Sequence, residues 1–214
     1  MNQGQHLPNR LILNNTSCKI RIMNKEKQKI KWLIKADLYR YYGENSFKIF
    51  LKAFFAFPGF KFTYFLRKCS FYRQFNLKIR YHFFYYFFLR RYRYKFGFDI
   101  PTECKIGKGL YIGHSGRVII NKDVEIGSNV NISPGVTIGK TYRGEHMGVP
   151  KIGNNVWIGT NAVLVGKIQI GNNVLIAPGA YVNFNVSDNA VVLGNPGKIV
   201  SFNGTQEYIY RAVD

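Results

Sequence analysis

The chain has 214 residues, of which 31 are lysine or arginine and 11 are aspartate or glutamate, giving a formal net charge of +20. A chain of this length buries a sizeable core without disulfide or metal staples, and an aromatic share of 16% excludes a largely disordered protein. The excess of positive charge predicts an acidic partner or a membrane surface as a neighbour.

The cysteines and the apolar runs indicate a cellular compartment. Cys18, Cys69 and Cys104 are scattered and show no C-x-x-C spacing, so neither a disulfide scaffold nor a zinc ribbon is predicted. No run reaches the roughly 18 apolar residues that a membrane-spanning helix needs, and the N-terminus has no apolar segment typical of a signal peptide. We therefore expect a cytoplasmic protein, at the inner face of the cytoplasmic membrane if its basic half contacts lipid.

The composition changes after Phe98. The residues up to this point include 21 basic, 3 acidic and 27 aromatic side chains and 4 glycines. The remainder has 10 basic, 8 acidic and 8 aromatic side chains and 17 glycines. Met23 is a second candidate for the native start. The predicted divisions are a mobile extension (1–24), a basic, aromatic α-helical region (25–98), a β-helix domain (99–200) and a C-terminal tail (201–214).

The basic half predicts several helices. The segment from Phe47 to Phe57 has apolar residues at helical spacing, with Ser46 positioned to cap its start and Pro58-Gly59 to stop it. Two more helices are predicted over residues 61–75 and 77–95.

Residues 31–96 interleave aromatic and basic side chains. Such a segment is typical of peripheral contact with an anionic membrane surface, where aromatic rings lie at the headgroup level. Alternatively, the aromatic side chains pack against the second half and leave the cations in solvent, and both interpretations stay open. No nucleic-acid recognition motif accompanies the basic residues, so we expect no nucleic-acid partner.

The second half repeats with a period of six. Aliphatic residues recur at every sixth position from Ile100 to Val136, in a second register from Ile120 to Ile138, and again after residue 151. Glycine or asparagine often follows, as tight turns require. This pattern predicts a hexapeptide β-helix in which three hexads form a coil of about 18 residues, and 12 to 14 hexads give about four to five coils.

One insertion interrupts the repeat between Ile138 and Ile152. Residues 139–151 are polar and glycine-rich, and regular coils have no space for them, so we expect a projecting loop. Loops on a rigid solenoid commonly carry binding and catalytic residues.

Several segments of the repeat resemble hexapeptide-repeat acyltransferases, in particular serine acetyltransferases and the serine-acetyltransferase-like enzymes of polysaccharide biosynthesis. The matching segments are Gly97-Phe98-Asp99-Ile100, residues 106–114, residues 135–139, Pro150-Lys151-Ile152-Gly153 and residues 194–200. The resemblance implies a left-handed parallel β-helix, mainly β in class, that forms a homotrimer with acetyl-CoA in a groove between neighbouring prisms.

The resemblance also implies a catalytic pair. His114 matches the general base of that family and Asp99 the aspartate that assists it, and imidazole has the near-neutral pKa that such a base needs. With 18 residues in a coil, Asp99 lies three residues beyond the position directly beneath His114, so contact is plausible without being forced. The resemblance implies donor contacts at Gly139, Thr141, Gly159, Thr160, Ala177, Pro178 and Lys198, although each also fits ordinary coil geometry.

The sequence departs from serine acetyltransferases near the acceptor. Gly113 stands where they place an aspartate before the base, and Gly148-Val149 where they place an Arg-His pair. His146 lies three residues too early to match that histidine, so it and Arg143 are either acceptor contacts or solvated loop residues. We therefore predict a hydroxyl of a saccharide or glycan precursor as the acceptor.

Other functions stay open. Serine itself, an acyl-carrier-protein donor and a non-catalytic, membrane-associated solenoid are the alternatives. No metal is expected, because only His114 and His146 lie in the repeat and a zinc site needs more ligands. Cys104 is predicted to be an idle thiol, since direct attack by the acceptor needs no covalent intermediate.

Overall fold

The computed structural model describes the backbone of residues 10–75 and 79–214, and the side chains of residues 21–73 and 83–214. A helical region comes first and a β-helix follows it. The helices are α1 (Arg10–Tyr42), α2 (Phe47–Ala56), α3 (Pro58–Phe75) and α4 (Ile79–Phe96).

The helical region starts earlier than predicted. Helix α1 begins at Arg10, so residues 10–24 belong to a helix rather than to a separate extension, and the first nine residues lie outside the described part. The reason is local, because no proline or glycine interrupts the chain between Arg10 and Tyr42 and many of its residues favour helix.

The predicted cap of α2 is confirmed. Ser46 Oγ accepts a hydrogen bond of 3.2 Å from the amide of Ile49, which starts the helix at Phe47. Pro58 ends α2 but also opens α3, three residues before the predicted start, since proline is favoured at the first helical position. The third predicted helix is observed from Ile79, and Leu77 lies outside the described residues.

The second half forms a left-handed β-helix, as predicted. Its strands are β1 (Phe98–Asp99), β2 (Lys105–Ile106), β3 (Tyr111–Ile112), β4 (Val118–Ile120), β5 (Glu125–Ile126), β6 (Asn131–Ile132), β7 (Thr137–Gly139), β8 (Lys151–Ile152), β9 (Trp157–Ile158), β10 (Val163–Val165), β11 (Gln169–Ile170), β12 (Leu175–Ile176), β13 (Tyr181–Val182), β14 (Val191–Leu193) and β15 (Lys198–Ser201).

The strands form the three faces of a prism. The first sheet has the order β1-β4-β7-β10-β13, the second β2-β5-β8-β11, and the third β3-β6-β9-β12-β14-β15. All neighbours are parallel except β14 and β15. The aliphatic side chains of the hexads, such as Val136, Ile138 and Leu164, are fully buried and form the central core.

The helical region and the β-helix share one core. Phe62 of α3 packs on Phe98 of β1, with ring centroids 5.2 Å apart, and both rings are fully buried. Tyr41 of α1 packs on Tyr111 of β3, with ring centroids 4.6 Å apart, so the predicted packing of aromatic side chains against the second half is observed for this part of the region.

A buried ion pair ties the two parts together. Arg67 Nε of α3 donates to Asp37 Oδ2 of α1 at 3.0 Å, and its Nη2 donates to Oδ1 at 3.1 Å. The same guanidinium donates to the carbonyl of Ile106 at 2.6 Å, while Asp37 accepts the amide of Leu110 at 2.9 Å. One pair of side chains thus joins two helices to the first coil.

Within the described residues, no single helix is both long and apolar enough to span a membrane. The two criteria are met only by α2 together with residues 58–73 of α3, a pair bent by 110°.

Candidate active site

His114 lies in the turn between β3 and β4, and its side chain is exposed. This turn belongs to the prism edge where the chain passes from the third sheet to the first, which we name the His114 edge. At each coil the chain turns there on glycine, asparagine or proline residues.

The turn that carries His114 is two residues longer than the others on this edge. Tyr111 pairs with Asn131, and Ile119 pairs with Thr137. The step from Tyr111 to Ile119 is therefore eight residues, whereas the equivalent step in the next coil, from Asn131 to Thr137, is six. The prediction that Ile112 and Val118 occupy equivalent positions of successive hexads is therefore wrong. The residue equivalent to Ile112 in the next strand is Ile120, since each is the second inward-facing residue of its strand. The extra residues make the His114 turn project.

The helical region fixes the start of this turn. The Tyr41 hydroxyl of α1 donates to the carbonyl of Ile112 at 3.0 Å and accepts its amide at 3.2 Å. Gly59 of α3 approaches so closely that a Cβ there would lie 1.9 Å from the same carbonyl oxygen. Two helices therefore hold the backbone two residues before His114.

Gly113 leaves space for an aromatic ring. A Cβ at this position would lie 3.0 Å from Cε1 of Tyr111 and 3.3 Å from its hydroxyl oxygen. The Tyr111 ring thus lies beside the backbone of Gly113, at the position where the family resemblance implies an aspartate.

Four of the predicted donor contacts share the His114 edge. Gly159 and Thr160 follow β9, and Ala177 and Pro178 follow β12. The turns stack directly: the amide of Gly179 donates to the carbonyl of Thr160 at 2.8 Å. With a coil spacing of about 4.8 Å, these turns lie about 10 and 14 Å along the edge from the His114 turn.

Gly159 has a structural reason of its own. A Cβ there would lie 2.5 Å from the nitrogen of Pro178, so only glycine permits the coils to stack. Lys198 begins β15 and pairs with Leu193 near the C-terminal end of the same edge, where its side chain is exposed.

The other predicted contacts lie on a different edge. Residues 139–151 leave the prism where the first sheet passes to the second, which we name the loop edge. Thr141 and Gly148 exchange two hydrogen bonds of 2.9 Å at the base of a projecting hairpin, as predicted for a loop. Arg143 and His146 are exposed on that hairpin, and the amide of Lys167 donates to the carbonyl of His146 at 2.8 Å.

A strand of the first sheet separates the two edges. Three residues, Thr137–Gly139, span about 10 Å between them. Within one chain, therefore, the loop residues do not meet His114.

The structure does not bring Asp99 to His114. Its first coil advances by 20 residues between Asp99 and its partner Ile119, rather than by the predicted 18. Asp99 Oδ1 accepts a hydrogen bond from Nη2 of Arg93, a residue of α4 that the sequence analysis did not single out. No hydrogen bond joins the Asp99 and His114 side chains, both of which the structure describes.

Asp99 lines a cavity of about 540 Å³ between α4 and the first sheet. Three arginines, Arg90, Arg93 and Arg117, line it together with Tyr86 and Tyr94. Among the described residues, Asp99 is the carboxylate of this cavity and pairs with one of the three guanidinium groups. The cavity is therefore cationic.

The described residues contain no cluster of three or more potential metal-ligating side chains. Cys104 is buried, and its Sγ donates to the carbonyl of Asn121 at 3.3 Å. Burial raises the pKa of this thiol to about 12, which fits the prediction of an idle cysteine.

Comparison with known proteins places these features in a family. Residues 150–183 match the family model of the bacterial transferase hexapeptide, six repeats. Over 76 residues the chain is 40% identical to a serine acetyltransferase of Helicobacter pylori, covering 36% of this chain and 44% of that protein. Over 74 residues it is 42% identical to a putative colanic acid biosynthesis acetyltransferase of Escherichia coli, covering 34% and 44%. The match thus spans less than half of the length of these relatives.

Solved structures resemble the chain over a longer range. A serine acetyltransferase of Neisseria gonorrhoeae in complex with serine superposes with a TM-score of 0.66 and 31% identity, covering 81% of this chain and 70% of that one. A serine acetyltransferase of Brucella abortus in complex with coenzyme A gives a TM-score of 0.69 and 26% identity, covering 86% and 72%.

Proposed function

The chain belongs to the bacterial hexapeptide-repeat transferases, and from that premise we propose that it transfers an acetyl group from acetyl-CoA to a hydroxyl of a saccharide or glycan precursor. The observation that carries this proposal is the His114 edge, where one projecting imidazole and the stacked turns at Gly159 and Ala177 lie in one line. The coenzyme A complex of a structural neighbour supports the donor.

In the proposed reaction, His114 removes the proton of the acceptor hydroxyl. The oxygen attacks the thioester carbonyl, the C–S bond breaks, and the imidazolium returns the proton to the leaving thiolate. Because acetyl passes directly to the acceptor, no cysteine or metal takes part.

Asp99 is proposed to orient His114 when the projecting His114 turn moves towards β1, because the two side chains are not hydrogen-bonded in the structure. Arg93 holds one carboxylate oxygen of Asp99 and leaves the other for the imidazole. Arg93 would then act as a positioning residue that sets the direction of the carboxylate.

The donor is proposed to run along the His114 edge towards the C-terminal coils. Backbone groups at Thr160 and Pro178 lie at suitable depth for the pantetheine arm, and the exposed ammonium of Lys198 suits a phosphate at its far end. Gly139 and Thr141 on the loop edge complete the proposed set of contacts.

A homotrimer accounts for the separation of the two edges. A groove between neighbouring prisms would combine the His114 edge of one protomer with the loop edge of the next, as closed cyclic symmetry requires. The loop residues Arg143 and His146 would then reach the acceptor from the neighbouring chain.

The surroundings of His114 support a saccharide rather than an amino acid. Gly113 offers no carboxylate to an ammonium group, and the ring of Tyr111 fills the space beside it. The neighbouring cavity presents guanidinium and phenol donors, which suit hydroxyl and anionic groups of a glycan precursor.

Serine is the second candidate acceptor. The structural neighbour that was solved in complex with serine favours it, with 70% of that chain covered. The two acceptors are distinguished by turnover, because a site built for one leaves buried polar groups unpaired with the other.

The test is release of coenzyme A thiol from acetyl-CoA in the presence of serine, free sugars, nucleotide sugars or a lipid-linked glycan. We expect release with a saccharide, and a loss of about 10²–10⁴-fold in His114→Ala. His82→Ala, which removes a histidine of α4, is the matched control. Release with serine alone would identify serine, rather than a saccharide, as the acceptor. No release with any acceptor would favour a carrier-protein donor or a non-catalytic solenoid.

Peripheral contact with the cytoplasmic membrane is part of the proposal. Phe47, Leu51 and Phe55 lie four residues apart on α2 and are exposed, as are Phe83, Phe84 and Phe87 on α4. Ring contacts of 4.9–6.0 Å connect Phe55 to Phe84 through Phe54, the buried Phe65 and Phe88, and we propose that the two helices present one aromatic face. Lys61 lies 5.6 Å from the ring of Phe55 and adds the positive charge that anionic lipid attracts.

A further inference from the structure

A second cavity lies on the opposite side of the His114 turn, under the C-terminal segment. It measures about 460 Å³ and is enclosed by the end of α1, the outer face of the third sheet and residues 208–211. The residues used below are Arg40 of α1, Asn131 and Trp157 of the sheet, and Tyr208, Tyr210 and Arg211 of the C-terminal segment.

Arg40 carries a buried charge that has no ion-pair partner among the described residues. The residue is only 4% exposed, and its Nη2 donates to Oδ1 of Asn131. Its Nε and Nη1 are buried and have no hydrogen-bond acceptor among the described residues. The nearby carboxylate of Asp37 is already occupied by Arg67 and by the amide of Leu110.

Among the described residues that line this cavity, none is an aspartate or a glutamate. A second guanidinium, that of Arg211, lies in the same wall and donates to the carbonyl of Tyr41 through one nitrogen. Burial lowers the pKa of Arg40 to about 10, so the side chain is still charged at neutral pH. Burying such a charge without a partner is unfavourable unless an anion compensates it.

Aromatic rings form the remaining walls. The rings of Trp157 and Tyr208 pack 4.9 Å apart, and Tyr111 and Tyr210 line the same space. Such walls suit the flat face of a base or sugar ring, while the planar forks of two arginines suit the oxygens of phosphate.

We propose that this cavity binds the phosphate group of a small phosphate ester, with Arg40 and Arg211 as its ligands. The attached ring packs beside the contacting rings of Trp157 and Tyr208, against Tyr111 and Tyr210. The site is separate from the proposed transfer site, and it ties α1, the third sheet and the C-terminal segment together. Ligand binding therefore orders residues 208–211.

Binding is measured by the fluorescence of Trp157 in a Trp32→Phe background, since the chain has only 2 tryptophans. Inorganic phosphate, uridine monophosphate and glucose 1-phosphate are titrated, with sodium chloride at matched ionic strength as the blank. Fluorescence changes that saturate with the esters, with half-saturation at concentrations about tenfold below that for inorganic phosphate, indicate an ester site. Equal concentrations identify free phosphate as the source, and no saturable change with any of the three overturns the proposal.

Variants test the two ligands. Arg211→Gln and Arg40→Lys are expected to weaken ester binding by about tenfold or more, since each removes a charge-assisted contact. Arg91→Gln, an exposed arginine of α4 outside the cavity, is the matched control. Because Arg40 is buried, Arg40→Lys is the variant at risk of misfolding. If it misfolds, the result for Arg211→Gln alone tests the proposal. Wild-type affinity in Arg211→Gln overturns the assignment.

Limited trypsin digestion gives a readout that does not depend on fluorescence. Cleavage after Arg211, followed by mass spectrometry, is expected to slow when the ester is added and to stay unchanged with chloride. Neither measurement involves acetyl transfer. A negative result here therefore does not affect the proposed function, and failure of the proposed function does not affect this binding site.

Discussion

The hydroxyl of Tyr41 bonds to both backbone groups of Ile112, at 3.0 Å to the carbonyl and 3.2 Å from the amide. Strand β3 is the first strand of its sheet, so these two groups have no neighbouring strand to pair with. Tyr41 replaces that strand, two residues before His114. Burial raises the pKa of the phenol, which keeps it a hydrogen-bond donor at any working pH.

Tyr41→Phe is expected to lower the kcat of acetyl transfer about tenfold while leaving the KM for acetyl-CoA unchanged. The reason is geometric, because the His114 turn loses its anchor while the proposed donor contacts lie two and three coils away. Steady-state kinetics checks this, with Tyr39→Phe on the same helix as control. A KM effect without a kcat effect would contradict the positioning role.

Arg67→Ala is expected to lower the free energy of unfolding by about 3–5 kcal/mol, because it leaves the buried carboxylate of Asp37 without its partner. Arg73→Ala removes a comparable ion pair with Glu103 at 2.8 Å, but one that is exposed, and is expected to cost less than about 1 kcal/mol. Denaturant unfolding of both variants makes the comparison. Similar losses would mean that the buried pair does not join the helices to the first coil.

Much of the fold was readable from the sequence because the hexads encode the core directly. Each strand turns two aliphatic residues inward, and a period of six survives any substitution among Ile, Val and Leu. His114 and the donor contacts on its edge came instead from the resemblance to hexapeptide-repeat acyltransferases. The two-residue insertion at His114 was missed because Ile112 and Val118 stand six apart by coincidence, although they occupy different positions of their strands.

The remaining features depend on contacts that have no local signal. Tyr41 reaches Ile112 across 71 residues, and Arg40 reaches Asn131 across 91. The pair of Arg93 with Asp99 depends on where α4 ends relative to β1. Helical periodicity predicts that these side chains lie on helices, but it contains no information on what each one touches.

Cys104 is expected to react slowly with iodoacetamide in the native protein. Burial raises its pKa to about 12, so the thiolate is a small minority at pH 8, and the labelling rate should rise with pH. Peptide mass spectrometry of alkylated protein measures this, with protein unfolded in guanidinium as the reactive reference. Fast native labelling, or loss of acetyl transfer in Cys104→Ala, would contradict an idle thiol.

The aromatic face is expected to bind vesicles that contain phosphatidylglycerol and to bind phosphatidylcholine vesicles weakly. Phe55 and Phe87 are 75% and 65% exposed, and replacing both with serine should weaken sedimentation with anionic vesicles about tenfold or more. Phe202→Ser, an equally exposed phenylalanine beyond the helical region, is the control. If the double variant binds anionic vesicles as tightly as the wild type, the aromatic face does not contact the membrane.

Mixing of inactive variants tests the shared groove. One variant is His114→Ala, and the other replaces residues 142–147 with Asn-Gly, a two-residue turn that suits the hydrogen-bonded pair of Thr141 and Gly148. Each variant alone is expected to be inactive. If the groove combines the His114 edge of one protomer with the loop edge of the next, equal mixing restores about a quarter of wild-type turnover, because that fraction of interfaces holds both intact edges.

The mixture is refolded together and its subunit exchange is checked by native mass spectrometry. Circular dichroism of the loop variant confirms that the β-helix is intact. Full activity of the loop variant alone would show that the hairpin takes no part in transfer. No recovery in verified mixed trimers would mean that both edges act within one chain. The loop would then have to move across the strand of about 10 Å that separates the two edges.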